Sequence, residues 1–258
     1  MNYQNTPSFY NNEEFFNQYL GCTSYYIGLQ TVVKKIIKIT NAHRVLELGS
    51  ALGTTTVAMA REYSNVMFSG SDIRDDVVIQ ANEDAKELNN VSFVQADMCE
   101  HVKSDTLSEF DLIFLLYSFH HILDPLENKI NFLKNCYGNM KVGSYLLITE
   151  TFLPEDAETL KENLQIKRLF DQRAVEGYAS TFWAALNSLK DVETAREVAK
   201  VSFKEELEAG HLVNERKEEY LVKFSWLVET ARACGFKVII AEPVNSIMEK
   251  ALLLQKVG

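Results

Sequence analysis

Two glycines four residues apart, Gly49 and Gly53, give the clearest indication of chemistry in this chain. They follow the apolar run 45–48, which carries one acid, Glu47, and they precede the helix-favouring segment 54–60. Glycine has no Cβ, so a ligand can lie against the backbone of such a loop, where exposed N–H groups bind its polar end. A buried strand, a short loop and a helix are typical of the first βα unit of a nucleotide-binding α/β sheet.

Two aspartates end the next strand-like runs. Asp72 follows the predicted second strand, 66–70, and Asp97 follows the third, 91–95. A carboxylate at the second strand end can accept both hydrogen bonds of a ribose diol. Asp97 can accept a hydrogen bond from the exocyclic amine of an adenine, with Met98 packed on the ring. Each aspartate has a structural alternative, the capping of the next helix, and Glu47 can equally be a structural strand-end carboxylate.

Three residues near the ends of the fourth and fifth predicted strands could move a proton. His120 and His121 follow the run 110–116, and Glu150 ends the run 143–150. A histidine or glutamate near an acceptor atom can serve as a general base. The alternatives are histidines that hold their own loop through ring N–H bonds, and a hydrogen-bonded strand-end acid.

The pattern of strands and helices predicts how these residues are positioned. Apolar strands alternate with helix-length segments, which predicts a doubly wound, mostly parallel sheet with right-handed crossovers. The run 110–116 is apolar on both faces, as a central strand should be. Segments 236–241 and 251–255 are predicted to close the sheet as an antiparallel hairpin. The charged stretch 154–222 carries no strand pattern and predicts a helical cap insertion.

We therefore expect three parts. Residues 1–40 form helices that cover the ligand site, residues 41–153 and 223–258 form the core, and residues 154–222 form a cap or substrate lid. Aromatic and basic cap residues are candidates for a substrate pocket: Arg173, Tyr178 and Trp183, with Phe170, Phe182 and His211 beside them. The alternative places Phe182 and Trp183 on the buried side of an amphipathic cap helix.

The composition of the chain limits the classes of partner that we expect. The net charge of −10 argues against attraction to nucleic acid or anionic lipid. We expect a cytoplasmic protein, since the first residues carry no secretion signal and no apolar run is long enough to span a membrane. The oligomeric state stays open, with a homodimer as one option. The cysteines have no metal-ligand spacing, which predicts reduced thiols and no metal site; they are Cys22, Cys99, Cys136 and Cys234.

The motifs together resemble those of class I S-adenosylmethionine (SAM) methyltransferases. They are Glu47-Leu48-Gly49 with Gly53, Gly70-Ser71-Asp72, Ala96-Asp97-Met98, Phe110-Asp111-Leu112-Ile113 and Tyr117-Ser118-Phe119-His120-His121-Ile122. The resemblance implies a seven-stranded Rossmann-like methyltransferase fold, SAM as cofactor and S-adenosylhomocysteine (SAH) as product. The glycine loop has Ala51 where dinucleotide enzymes have a glycine, which favours an adenosyl ligand without a diphosphate. The implied cofactor-binding residues are Tyr25, Glu47, Gly49, Ser50, Ala51, Asp72, Ile73, Asp97, Met98 and Tyr117.

Two further stretches are similar to the carboxy-SAM synthases of tRNA wobble-uridine modification. They are Ser24-Tyr25-Tyr26-Ile27 and the run from Phe170 to Tyr178. The cap offers no identifiable arginine for the extra carboxylate of that family's product, and more residues follow Tyr178. We therefore interpret the chain as a sister methyltransferase that acts on a small molecule. The alternatives are a carboxy-SAM-synthase-like or tRNA-modification enzyme, a non-catalytic SAM-binding protein and an NAD-linked reductase.

Overall fold

The computed structural model describes residues 24–122, 125–153, 155, 174–175, 177–179, 181–186, 191–201, 203, 221–244 and 249–258. The chain divides into two compact units. One comprises residues 29–157 and 216–258, and the other comprises residues 1–28 and 158–215. In the second unit, residues 181–186 and 192–201 are helical. Within the described part of the chain, no helix is long and apolar enough to cross a bilayer.

The first unit is built from seven strands and the helices that connect them. The order is α1 (Ser24–Thr40), β1 (Arg44–Leu48), α2 (Thr54–Glu62), β2 (Met67–Asp72), α3 (Asp75–Asp84), β3 (Val91–Gln95), α4 (Met98–His101), β4 (Leu112–Leu116), α5 (Glu127–Asn139), β5 (Tyr145–Thr151), α6 (Phe224–Ala233), β6 (Lys237–Pro243) and β7 (Glu249–Gln255). Only the first residues of α1 fall in the other unit.

The strands form one sheet in the order β3-β2-β1-β4-β5-β7-β6. Strands β1 to β5 are parallel, and β7 runs antiparallel to both β5 and β6. The predicted mostly parallel sheet with an antiparallel closing hairpin is therefore confirmed. The strand order reverses between β1 and β4, and ligands of open α/β sheets bind at such a switch point, beyond the carboxyl ends of the strands.

Apolar side chains cover both faces of the sheet. On one face, Leu29 and Val33 of α1 pack with Phe68 and Phe114. On the other, Leu46 packs with side chains from α5 and α6. All five residues of β4 are buried, as its apolar sequence predicts. The glycine loop and the loops after β2, β3 and β4 are thereby held on a rigid base.

One strand boundary differs from the prediction in a way that concerns the site. Strand β2 runs to Asp72 instead of ending at residue 70, because Ser71 and Asp72 pair with Val94 and Gln95 of β3. The carboxylate of Asp72 therefore starts from a strand backbone and not from a loop. The three-part division expected from the sequence stays a prediction.

Candidate active site

The glycine loop after β1 has an unusual backbone. Gly49, Ala51 and Gly53 all have positive φ, at 74°, 45° and 69°. An alanine is disfavoured in this left-handed region by its Cβ. It is stabilised here because the Ala51 N–H donates to Oδ2 of Asp72 at 2.9 Å. The loop is thus bound to the end of the neighbouring strand.

The N–H groups of this loop serve the protein's own structure. Gly49 and Ser50 both donate to the carbonyl of Ser71, at 2.8 and 2.9 Å, and Gly53 donates to the carbonyl of Ser50. With Ala51 bonded to Asp72, the expectation that exposed loop N–H groups bind the ligand is wrong for these four residues. These bonds set the path of the loop backbone.

The ring of Phe93 on β3 lies directly against two of the glycines. A Cβ on Gly70 would lie 2.3 Å from Cδ1 of that ring, and one on Gly53 would lie 2.5 Å from Cε1. Gly70 belongs to one of the sequence motifs, but the sequence did not identify the ring of Phe93 as the reason that a glycine is needed at this position. The signal was available, since a glycine within a strand often marks a close approach.

Asp72 has two roles in this geometry. Its Oδ2 binds the Ala51 N–H, and its Oδ1 accepts from the N–H of Arg74 at 3.0 Å. Each carboxylate oxygen has two lone pairs, so these bonds are compatible with a ribose diol as a further donor. The structure therefore makes Asp72 both a loop-holding residue and a candidate ligand-binding residue.

Asp97 caps a helix, which is the structural alternative given for it in the sequence analysis. Its side chain caps α4, with Oδ1 accepting from the N–H of Cys99 at 2.7 Å. The next residue, Met98, brings its methyl carbon to within 3.5 Å of the point that a Cβ of Gly49 would occupy. The tip of β3 and the glycine loop of β1 therefore meet across β2.

Glu47 is a buried acid at the second-last position of β1. Only 4% of the residue is exposed, and its Oε2 accepts a hydrogen bond from the hydroxyl of Thr56. Burial, opposed by the bonds from Thr56 and aided by the nearby Asp72 carboxylate, raises the pKa of Glu47 to about 8. The hydroxyl of Ser50 is also buried and has no hydrogen-bond partner among the described residues.

The loop after β4 brings His120 and Glu150 together. Nδ1 of His120 lies 2.9 Å from Oε2 of Glu150, and the His120 N–H donates to the same oxygen at 3.1 Å. Oε1 of Glu150 accepts from the N–H of Thr151. Glu150 is 3% exposed and His120 15% exposed at the side chain. In this arrangement both oxygens of Glu150 are hydrogen-bonded, one of them to the backbone and ring of His120.

The rest of this loop is also ordered by hydrogen bonds. Tyr117 has a positive φ of 49°, and its N–H donates to the carbonyl of Thr149. Ser118, which belongs to the motif that follows β4, donates its hydroxyl to the carbonyl of Leu48 at 2.9 Å. This bond joins the β4 loop to the end of β1 across the switch point. His121 is an exposed residue, and its ring centroid lies 4.0 Å from that of His120 with the two ring planes tilted by 50°.

Some of the remaining predicted site residues are described by the structure, and others are not. Ile73 is 41% exposed beside Asp72. Trp183 in the second unit is 64% exposed, so the alternative that placed it on the buried side of a cap helix is wrong. Tyr178 stacks on Phe182 with 6.4 Å between ring centroids. The others lie outside the described residues: Arg173, Phe170, His211 and the side chain of Tyr25.

The cysteines that the structure describes are free thiols. Cys99, Cys136 and Cys234 form no disulfide, and Cys22 lies outside the described residues. Burial raises the pKa of Cys99 to about 11, which makes its thiol unreactive near neutral pH. Across the described ranges, no group of three or more His, Cys, Asp or Glu side chains is placed to hold a metal ion.

Comparison with known proteins finds similarity to methyltransferases. The family model described as "Methyltransferase domain" matches residues 39–209. A human N-acetylserotonin methyltransferase in complex with SAM is similar in structure, with a TM-score of 0.53 and 16% identity over 85% of this chain and 49% of that one. No match was found among curated proteins.

Two bacterial structures extend the comparison. An O-methyltransferase family protein from Burkholderia thailandensis has a TM-score of 0.54 and 12% identity over 89% of this chain and 57% of that one. A SAM-dependent methyltransferase from Aquifex aeolicus has a TM-score of 0.51 and 15% identity over 87% and 89%. At these identities the similarity establishes the fold. This chain spans about half the length of the human and Burkholderia proteins.

Proposed function

Because this chain belongs to the methyltransferase-domain family, we propose that it binds SAM at the carboxyl ends of β1 to β4 and methylates a hydroxyl group of a small molecule. SAH is the second product. The observation that carries the proposal is the convergence of the strand tips, in which Asp72 binds the β1 loop and Met98 lies against Gly49. In this proposal Asp72 is the ribose acceptor and Met98 faces the adenine, and both lie on the β2–β3 side of the glycine loop.

The cofactor contacts follow from position along the sheet edge. Asp72 accepts the ribose hydroxyls, and the exposed Ile73 beside it offers an apolar surface to the adenine. Met98 and Asp97 border the other side of the base. Glu47, Gly49, Ser50 and Ala51 lie beside the adenosyl group, and Tyr117 after β4 lies beside the methionine portion. Tyr25 is kept as a cofactor contact on the family resemblance alone.

The residues after β4 and β5 supply the proton chemistry. Bound SAM provides an electrophilic methyl carbon on a sulfonium. A hydroxyl acceptor must lose its proton as its oxygen attacks that carbon, and positioning alone contributes about 7–11 kcal/mol in ideal cases. In the neutral tautomer with a proton on Nδ1, directed at Glu150, the lone pair of His120 is on Nε2. His120 is therefore the base, and Glu150 stabilises the imidazolium that forms.

We expect His120→Ala to lower kcat by about 10²–10⁴-fold, the usual contribution of a general base. The Kd for SAM should be unchanged, because the histidine acts on the acceptor. The assay measures SAH formed from a panel of small phenols, enols and alcohols, with cofactor affinity measured separately by calorimetry. Glu150→Gln should also lower kcat, because an amide can present an N–H to Nδ1 and favour the other tautomer.

His121→Ala is the matched control for this prediction. It is the adjacent histidine of the same loop, and it is an exposed residue. Its removal should leave kcat within about threefold of the wild type. Full activity in His120→Ala, or equal losses in both variants, would contradict the assignment of the base.

A second candidate function is favoured by the resemblance of residues 24–27 and 170–178 to carboxy-SAM synthases. In that case the chain would make a modified SAM or act in tRNA modification. Mass spectrometry of the nucleoside that co-purifies with the protein separates the two, because carboxy-SAM is heavier than SAM. Binding of SAM without turnover on any acceptor would instead support a non-catalytic SAM-binding protein.

The substrate side of the proposal rests on the second unit. We assign residues 154–222 to a substrate cap, with Arg173, Tyr178 and Trp183 as pocket residues and residues 1–40 as a cover for the cofactor. The exposed indole of Trp183 is the most accessible large apolar side chain of the described cap residues. We also propose that the chain forms a homodimer, which its molecular mass in solution tests. A cytoplasmic location belongs to the same proposal, and the location of a tagged chain in the cell tests it.

A further inference from the structure

We propose that Glu47 couples cofactor binding to proton release: its carboxyl group is neutral in the unliganded protein and gives up its proton when the cationic cofactor enters. The inference rests on the proposed function, since it requires SAM to bind at the strand tips. It goes beyond that function by assigning to one buried side chain a pH dependence and a preference for SAM over SAH.

The position of Glu47 isolates its carboxyl group from solvent. In β1 it pairs with Gly70 of β2 on one side and with Phe114 of β4 on the other. It shares its face of the sheet with the apolar side chains that pack under α1 and α2. Its polar contacts come from Thr56 at the start of α2: the hydroxyl donates to Oε2, and the Thr56 N–H also bonds the carboxyl group. A hydroxyl donor stabilises a carboxylate far less than a cation would.

The charged groups on the packed elements do not compensate for this burial. Asp72 of β2 carries the same sign as an ionised Glu47 and raises its pKa. Strand β4 has no titratable residue. The charged residues of α1, α2 and β1 lie at the opposite end, where Lys34 pairs with Glu62 and Arg44 pairs with Glu109. Within the described residues, Glu47 therefore faces a second acid, and no cation is among the groups that shift its pKa.

A bound SAM would supply the missing charge. Its sulfonium is attached to the 5′ carbon of the ribose, and the ribose is assigned to Asp72, which is close enough to Glu47 to act on it electrostatically. A cation near a buried carboxyl favours the ionised form. The balance is a neutral acid plus SAM giving a carboxylate with bound SAM, and the proton passes to solvent. SAH lacks the sulfonium, so it should release fewer protons.

The test is calorimetric titration of SAM in two buffers with different ionisation enthalpies, repeated over a range of pH. With the pKa of Glu47 near 8 in the free protein, we expect about one proton released per SAM at about pH 6.5, falling towards zero at about pH 9. Below pH 8, each unit by which the pH rises should then lower the Kd for SAM by up to about tenfold. SAH should show a weaker dependence, so the ratio of the two affinities should rise with pH.

Two variants give the controls. Glu47→Gln keeps the shape and an acceptor for Thr56 but cannot ionise, so SAM should bind it without the proton release. Thr56→Val removes the hydroxyl that lowers the pKa of Glu47, so the pH at which release is half complete should rise. This second variant keeps the test decisive even if Glu47→Gln does not fold.

The outcomes distinguish this inference from the proposed function. Tight SAM binding without proton release, or with equal release in wild type and Glu47→Gln, would overturn the coupling and leave the methyltransferase proposal standing. Failure of SAM to bind the wild-type protein would overturn both.

Discussion

Replacing Asp72 with alanine is expected to weaken SAM binding by about 10²–10⁴-fold. Two hydrogen bonds from the ribose diol to a carboxylate contribute about 1.5–3 kcal/mol each, and every 1.4 kcal/mol changes the affinity about tenfold. The same substitution removes the acceptor for the N–H groups of Ala51 and Arg74. Ala51 would then be left in its left-handed conformation without that bond, which adds to the loss.

The measurement is the Kd for SAM and for SAH by calorimetry, with the unfolding temperature of each variant recorded. Asp76→Ala is the matched control, because Asp76 lies at the same end of the sheet but is exposed and pairs with Arg74. Its effect on affinity should be within about threefold, as for most surface substitutions. If the Asp72→Ala variant is folded and its Kd for SAM is unchanged, the assignment of the ribose to this strand tip is contradicted.

Gly70→Ala is expected to destabilise the fold strongly through a steric clash alone. The added Cβ would lie 2.3 and 2.5 Å from two ring carbons of Phe93 and 2.9 Å from Oγ of Ser50. Gly70 is absent from the glycines with positive φ, so the cost is one of space and not of backbone conformation. Overpacking of this kind typically costs 1–3 kcal/mol, occasionally more. We expect at least about 2 kcal/mol here, with weaker SAM binding because the loop must shift.

A double-mutant cycle with Phe93→Leu isolates the cause. The smaller side chain costs stability on its own, but it should make room for the new methyl group. The double variant should therefore be more stable than the sum of the single changes predicts, by about 1 kcal/mol or more. Gly138→Ala in α5 is the control, since its Cβ meets nothing within 4 Å. An additive cycle, or equal effects at residues 70 and 138, would contradict the role of Phe93.

The sequence was sufficient for the parts of the fold that follow from local pattern. The apolar runs of β1 and β4 and the helix-length spacers between strands determine a parallel sheet, and its edge brings the strand ends together. The order of the strand-like runs alone therefore places Asp72 and Asp97 at neighbouring tips. The strand end at residue 72 was missed because pairing with β3, and not local propensity, extends β2.

What the sequence could not show are interactions between residues far apart in the chain. The bond between His120 and Glu150 joins residues 30 positions apart, and it is the basis for proposing that Glu150 orients the base. The contact of Phe93 with Gly53 and Gly70 depends on the register of β2 and β3. Whether Asp97 caps its helix or Glu47 stays neutral depends on how many neighbours surround each carboxyl group, which spacing does not encode.

The measurement that tests the central claim most directly is a crystal structure of the full chain with SAH bound. We predict both ribose hydroxyls within hydrogen-bonding distance of the Asp72 carboxylate, with the adenine between Ile73 and Met98. The homocysteine sulfur should lie on the Tyr117 side of the glycine loop. SAH bound elsewhere, with Asp72 not in contact with the ribose, would contradict the account.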